Sequence, residues 1–99
     1  MDSPLCIGIA TRLDEVQVAT KRSGQDLAVR NFRGEAGQVA LIAYLGGFRE
    51  PVKLAIHASL AGLSLALLLS AANGREIYLV SSAIPNQPVA LLAYAELAL

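Results

Sequence analysis

The first third of the chain carries the hydrophobic patterns of β-strands. Residues 5–10 form a short apolar run, which is typical of a strand that is buried on both faces. Residues 16–21 alternate between apolar and polar side chains, and residues 27–32 repeat this period of two after a turn at 22–25. These patterns predict a meander of three antiparallel strands.

From Gly34 onward the apolar positions recur at the spacing of an α-helix. The predicted apolar face of the first helix consists of Val39, Leu41, Ile42 and Leu45. Gly46 and Gly47 follow as a stop signal, because glycine readily ends helices. A last helix is predicted from Pro88, which suits a first helical turn. Its predicted apolar side consists of Val89, Leu91, Leu92, Leu97 and Leu99.

Between these two helices lies a stretch, from Lys53 to Arg75, with no charged residue inside it. Leu54 to Gly74 has the length of roughly 20 residues that a membrane span requires. However, three local signals divide it into elements of ordinary length. They are Pro51 before it, a change from alternating to helical spacing of the apolar residues within it, and Asn73 near its end. The predicted elements are a strand at 52–58, a helix at 60–72 that is apolar nearly all round, and a further strand at 76–81. We therefore expect a strand followed by a buried crossover helix, with a membrane span as the alternative.

The composition favours a protein that associates with other copies of itself. The chain has 99 residues, of which 55% are hydrophobic and only 16% charged, and its mean hydropathy is +0.51. So few charges do not cover the surface of a soluble monomer, and large exposed apolar patches usually mark sites of association. We therefore expect a single cytoplasmic domain, residues 1–99, that forms a homodimer.

The charges are balanced, since eight basic and eight acidic residues give a net charge of zero. The net charge thus gives no support for binding to nucleic acid. A local basic cluster stays open, because four cations fall in the first third of the chain and could share one edge of the sheet. They are Lys21, Arg22, Arg30 and Arg33. The alternative is that these residues are solvated ends of strands and a turn.

The predicted elements follow the order βββαβαβα, which gives a five-stranded mixed α/β sheet with helices on its faces. The helical crossover makes the fourth and fifth strands parallel. This order resembles the ribonuclease H-like fold. At the residue level the chain resembles the RuvC-like N-terminal domain of DEDD transposases from bacterial insertion sequences. Segment 6–11 resembles that family's opening G-I-D strand, and segment 31–37 resembles its N-x-x-x-G turn. Segment 56–62 resembles its E-x-x-G strand end, and segment 78–85 resembles its V-N-P loop.

Two departures from that family's pattern concern its chemistry. The resemblance implies an aspartate on the first strand and a glutamate at the end of the fourth, which together hold divalent metal for phosphodiester cleavage. Here these positions are Ala10 and His57. Alanine cannot bind a metal, histidine prefers softer metals than Mg²⁺, and Glu96 has no acidic partner at a suitable spacing. We therefore expect no metal, no cofactor and no nuclease activity, and we expect His57 to be a hydrogen-bonded core or interface residue.

Three functions stay open after these exclusions. The sequence has no phosphate-binding loop, no G-x-G-x-x-G, no Cys-x-x-Cys and no G-x-S-x-G. Cys6, alone in an apolar run, is expected to be a buried reduced thiol. The leading hypothesis is a non-catalytic ribonuclease H-like domain that acts through protein association as a homodimer. The alternatives are a nucleic-acid-binding regulator that uses the four cations, and a small membrane-associated protein.

Overall fold

Five strands and three helices make up the part of the chain that the computed structural model describes, which is residues 5–22, 26–48, 51–69, 75–81 and 85–97. The elements are β1 (Leu5–Thr11), β2 (Glu15–Lys21), β3 (Ala28–Arg33), α1 (Gly34–Gly46), β4 (Val52–His57), α2 (Leu60–Leu69), β5 (Arg75–Val80) and α3 (Pro88–Leu97). This order confirms the predicted succession of strands and helices. The centre of the predicted turn at 23–25, the helix stop at 73–74 and residue 99 lie outside the described residues.

The strands form one open mixed sheet in the order β3-β2-β1-β4-β5. The first three strands pair antiparallel, as the predicted meander requires, and the pairs β1–β4 and β4–β5 are parallel. Parallel pairing follows from the helices α1 and α2, which carry the chain back to the same end of the sheet. Ile9 aligns with Ile56, and His57 aligns with Val80. The carboxyl ends of β1, β4 and β5 therefore lie together at one end of the sheet.

One face of the sheet, which we call the α1/α2 face, is covered by those two helices and holds most of the core. Alternate residues of β1, β2 and β4 point to it, as the period of two requires. The buried residues are Leu5, Ile7, Ile9, Val18, Leu41, Leu45, Val52, Leu54, Ile56, Leu65, Ala66 and Leu69. Burial of each large aliphatic side chain contributes about 1.5–3 kcal/mol, so this cluster is the main source of stability.

The opposite face, which we call the α3 face, is covered by α3 at close range. Its core is small and consists of Ala10, Ala55, Val80, Leu91 and Ala95. A Cβ atom at Gly8 would meet backbone atoms of α3, namely the Pro88 carbonyl oxygen, the Leu92 nitrogen and, at 2.9 Å, the Leu91 carbonyl carbon. The glycine thus allows the backbone of α3 to contact β1 directly.

The predicted apolar face of α1 is partly wrong. Leu41 and Leu45 are buried as predicted, but Val39 is 70% exposed and Ile42 is 44% exposed. The helix instead turns Gly37 inward, where a Cβ atom would lie 2.7 Å from the carbonyl carbon of Phe32. This close contact at a glycine rotates α1 away from the face that the aliphatic spacing predicts.

The predicted apolar side of α3 is also partly wrong. Leu91 and Leu92 are buried as predicted, together with Ala95, whereas Val89 and Leu97 are exposed. Because α3 lies so close to Gly8 on β1, only its small residues and the two central leucines fit against the sheet.

The uncharged stretch between 53 and 75 contains β4 and α2 instead of one continuous helix, as predicted. α2 is not buried all round, however. Leu65 and Leu69 pack into the core, while Leu67 is 77% exposed, because only one side of the helix faces the sheet. Within the described ranges, no helix combines the length and the apolar character that crossing a membrane requires.

Candidate functional site

The carboxyl ends of β1 and β4 form the place where an open α/β sheet usually binds its ligands. The chain leaves β1 toward β2 on one side and leaves β4 toward α2 and β5 on the other, so the two connections diverge at this point. Ala10 and His57 are the next pair after Ile9 and Ile56 in the parallel register. Ala10 belongs to the α3-face core, and His57 lies two residues beyond Ala55 of the same core. The two positions singled out by sequence are therefore neighbours on one face.

Three polar side chains from separate segments connect the loops at this end of the sheet. The Thr11 and Ser59 hydroxyl oxygens are 3.2 Å apart, and the Asn86 side-chain amide donates to the Thr11 carbonyl oxygen at 2.8 Å. The Ser59 hydroxyl oxygen also accepts a hydrogen bond from the Gly62 backbone N–H at 3.1 Å. These contacts join the ends of β1 and β4 to the segment that precedes α3.

Two buried polar atoms beside this network have no hydrogen-bond partner among the described residues. They are Nδ1 of His57 and Oδ1 of Asn86. Buried polar atoms are nearly always paired, because an unpaired one loses its hydrogen bond to water. The hydrogen bond expected for His57 as a core or interface residue has no partner at Nδ1 among the described residues and stays a prediction. Asn86 Oδ1 can only accept, so any group that binds it has to donate a proton.

Ser59→Ala is expected to lower the free energy of unfolding by about 1 kcal/mol, because Ser59 is the N-cap of α2. Urea unfolding followed by circular dichroism measures the change. Ser64→Ala, an exposed serine within the same helix, is the matched control and is expected to stay within about 0.5 kcal/mol of the wild type. Equal losses in both variants would show that the cap does not stabilise α2.

Glu96, the acidic residue considered from the sequence, does not lie at this end of the sheet. Glu96 forms an ion pair with Lys21, with 3.9 Å between Oε2 and Nζ, and Lys21 aligns with Cys6 at the amino end of β1. Glu96 therefore lies at the opposite end of the sheet from Ala10 and His57. Among the described residues, no three histidine, cysteine, aspartate or glutamate side chains form a group that could hold a metal ion.

Cys6 is half-buried on the α3 face, and not fully buried as predicted. Burial first, and the nearby Glu96 carboxylate second, raise the pKa of the Cys6 thiol above its ordinary value. At neutral pH the thiol is therefore protonated, which makes it a poor nucleophile.

The four cations that could share one edge divide into two pairs on different faces. Lys21 and Arg33 lie on the α3 face, where Arg33 Nε is 3.5 Å from Glu15 Oε1. Arg22 and Arg30 lie over aromatic rings. Their guanidinium carbons are 5.5 Å from the ring centre of Phe48 and 5.0 Å from that of Tyr44, respectively. Contact of any of the four with nucleic acid stays a prediction.

A cavity of about 350 Å³, which the sequence does not predict, opens on the α1/α2 face between the two helices and the β1–β2 turn. Its apolar lining includes Val16, Phe32, Leu65 and Leu68, and its polar lining includes Arg12 and Glu35. These residues come from distant segments, so no local pattern could have indicated the cavity.

No protein-family model matches the chain, and no curated protein matches it either. Function therefore has to be inferred from the residues themselves and from the surfaces that they form.

Proposed function

We propose that this chain is a non-catalytic ribonuclease H-like domain, similar to the N-terminal domain of DEDD transposases, that acts through protein association as a homodimer. The observation that carries the proposal is the pair Ala10 and His57. They occupy neighbouring positions at the carboxyl ends of two parallel strands. The resembled family has its metal-binding aspartate and glutamate at these positions.

The arrangement of the strands supports the family assignment. The resemblance implies a mixed sheet with an antiparallel meander followed by parallel strands that helices connect. The observed sheet has this arrangement, with β1 at its centre. The finer assignment rests on this order together with the four short sequence segments.

The chemistry of the two positions does not fit the metal of the resembled family. Mg²⁺ and Mn²⁺ in such sites are held by carboxylate oxygens. The Ala10 methyl group offers no lone pair and is fully buried beneath α3. His57 offers a ring nitrogen, which suits softer metals. The proposal therefore assigns no step of catalysis to these residues.

The exposed apolar side chains support a role in association. Val39, Leu67 and Leu97 are each at least 70% exposed, and Leu13, at the tip of the β1–β2 turn, is fully exposed. Scattered exposed leucines are ordinary, but a chain with only 16% charged residues has few polar groups with which to surround them. Contact with a second copy would remove this surface from water.

Two measurements on the purified protein test the proposal. With Mg²⁺ or Mn²⁺, cleavage of supercoiled or branched DNA is expected to be no faster than in a His57→Ala control. Light scattering is expected to give a mass of about twice the 10.4 kDa of one chain. Metal-dependent nicking that His57→Ala abolishes would contradict the non-catalytic assignment. A clean monomer at several hundred micromolar would contradict the homodimer.

A nucleic-acid-binding regulator of the same fold is the second candidate, and the pair Arg22 and Arg30 favours it. Both guanidinium groups are exposed and lie over aromatic rings, an arrangement that also suits contact with bases and phosphates. This function requires binding to duplex or branched DNA that weakens steeply with added salt. Binding that is absent, or that is the same at low and high salt, would exclude it.

A further inference from the structure

The exposed sides of α1 and α2 lack charged residues beyond the first turn of α1. Neither the segment from Ala36 to Phe48 nor α2 contains an aspartate, glutamate, lysine or arginine. The large apolar side chains exposed there are Val39, Ile42, Leu63, Leu67 and Leu68. The solvent side of a surface helix normally carries charged and polar residues, so these two helices present an atypical surface.

The α1/α2 face does carry Arg22 and Arg30, but neither belongs to the two helices: Arg30 lies on the edge strand β3, and both guanidinium groups lie over aromatic rings at the end of the face formed by Tyr44 and Phe48. The α3 face carries charges on more of its elements. Charged side chains project to it from three strands and from the helix, and they include Lys21, Lys53, Glu76 and Glu96. The apolar side chains exposed on α3 are therefore close to ionised groups, which would lose water in any contact made through this face.

We infer that two copies of the chain pair through the α1/α2 face around a twofold axis. This inference rests on the proposed homodimer and names its surface. A twofold axis brings the same patch of both copies together, so a charge near the axis would meet its own like charge. The exposed sides of α1 and α2 place no charged side chain near such an axis, so this face can pair with the same face of a second copy.

The residues around the cavity between the helices would also contact the second copy. Arg12, Asp14 and Glu35 line its edge and provide both signs of charge, so they can pair across the boundary of the contact. Inside, Phe32, Leu65 and Leu68 give an apolar surface in a volume of about 350 Å³ that can receive aliphatic side chains of the second copy.

The size of the surface sets the expected strength of the dimer. Helices of 13 and 10 residues are about 20 Å and 15 Å long. With a width of about 10 Å each, their outer sides give a flat footprint of roughly 350 Å² per copy. This is less than half of the about 800 Å² of accessible surface per copy that is standard for a stable interface, so the dimer is expected to be weak. A dissociation constant in the micromolar range is therefore expected.

The test places lysines on the α1/α2 face and, as a matched control, on α3. The test variant, Val39→Lys with Leu67→Lys, changes side chains that are 70% and 77% exposed. The control variant, Val89→Lys with Leu97→Lys, changes side chains that are 50% and 84% exposed. Sedimentation equilibrium measures the dimer dissociation constant, and circular dichroism verifies that each variant is folded. We expect the first pair to raise the constant at least tenfold and the control pair less than twofold.

A complementary variant distinguishes lost contact from lost folding. Val39→Glu with Leu67→Glu is expected to dissociate alone and to pair with the lysine variant when the two are mixed, because opposite charges then meet. If the control variant dissociates and the α1/α2 variants stay dimeric, the proposed interface is wrong. The chain then forms its homodimer through another surface. A wild type that stays monomeric, whether or not it binds lipid vesicles, would overturn the homodimer itself.

Discussion

Gly8→Ala is expected to lower the free energy of unfolding by about 3 kcal/mol or more, at the upper end of overpacking effects. The added Cβ would meet the Pro88 carbonyl oxygen and the Leu92 nitrogen. These are backbone atoms of one helix, so no single side chain can move aside to relieve the clash. α3 would have to lift from β1 as a unit, which would open the small core around Ala10 and Ala55.

Urea unfolding of Gly8→Ala and of a matched glycine variant measures this effect. Gly46→Ala is the control, because no atom lies within 4 Å of a Cβ at that position and the residue is helical. The control is expected to be neutral or stabilising by up to about 1 kcal/mol, since alanine favours helix more than glycine does. Similar unfolding midpoints for Gly8→Ala and the wild type would contradict the direct contact between α3 and β1.

The succession of elements could be predicted because strands and helices differ in the period of their apolar residues. In β2, Val16 and Val18 point to the core while Gln17 lies between them, so the period of two is visible. The stretch from 53 to 75 was divided correctly because Pro51 and the change from alternation to helical spacing mark local boundaries. Both signals depend only on neighbouring residues.

The buried faces of the helices could be predicted only in part. α1 and α3 carry aliphatic residues on all sides, so few polar positions contrast with an apolar face. Small residues then decide the packing: Gly37 turns toward Phe32, and Ala95 packs on the α3 face. Val39 and Leu97, which periodicity places inside, are left exposed.

The sequence could indicate the parts of the candidate site that depend on position along one strand. It could not indicate contacts between residues that lie far apart in the chain. The positions of Ala10 and His57 came from the resemblance. The contacts of Thr11 with Ser59 and Asn86 join residues 48 and 75 positions apart, so they require the three-dimensional arrangement. The division of the four cations between two faces, by contrast, follows from the alternation along a strand, which points Arg30 and Arg33 to opposite faces.

Introducing the carboxylates of the resembled family, as Ala10→Asp with His57→Glu, is expected to make folding depend on a divalent metal. The two positions are neighbours on parallel strands about 4.8 Å apart, so both carboxylates would point to the same face of the sheet. Ala10 is fully buried, and an uncompensated buried charge costs about 3–5 kcal/mol. In EDTA, the double variant is therefore expected to unfold at a much lower urea concentration than the wild type.

Mn²⁺ is expected to reverse much of this loss, because it prefers oxygen ligands and binds only the folded arrangement. Each tenfold excess of metal over its dissociation constant adds about 1.4 kcal/mol to the stability of the double variant. Urea unfolding with EDTA and with Mn²⁺ measures the response, and the wild type and the two single variants are the controls. Because one carboxylate binds a divalent ion weakly, each single variant should respond less than the pair. If Mn²⁺ stabilised Ala10→Asp alone as much as the double variant, the two introduced carboxylates would not bind the metal together, and the assignment of these positions as a degenerate metal site would be wrong.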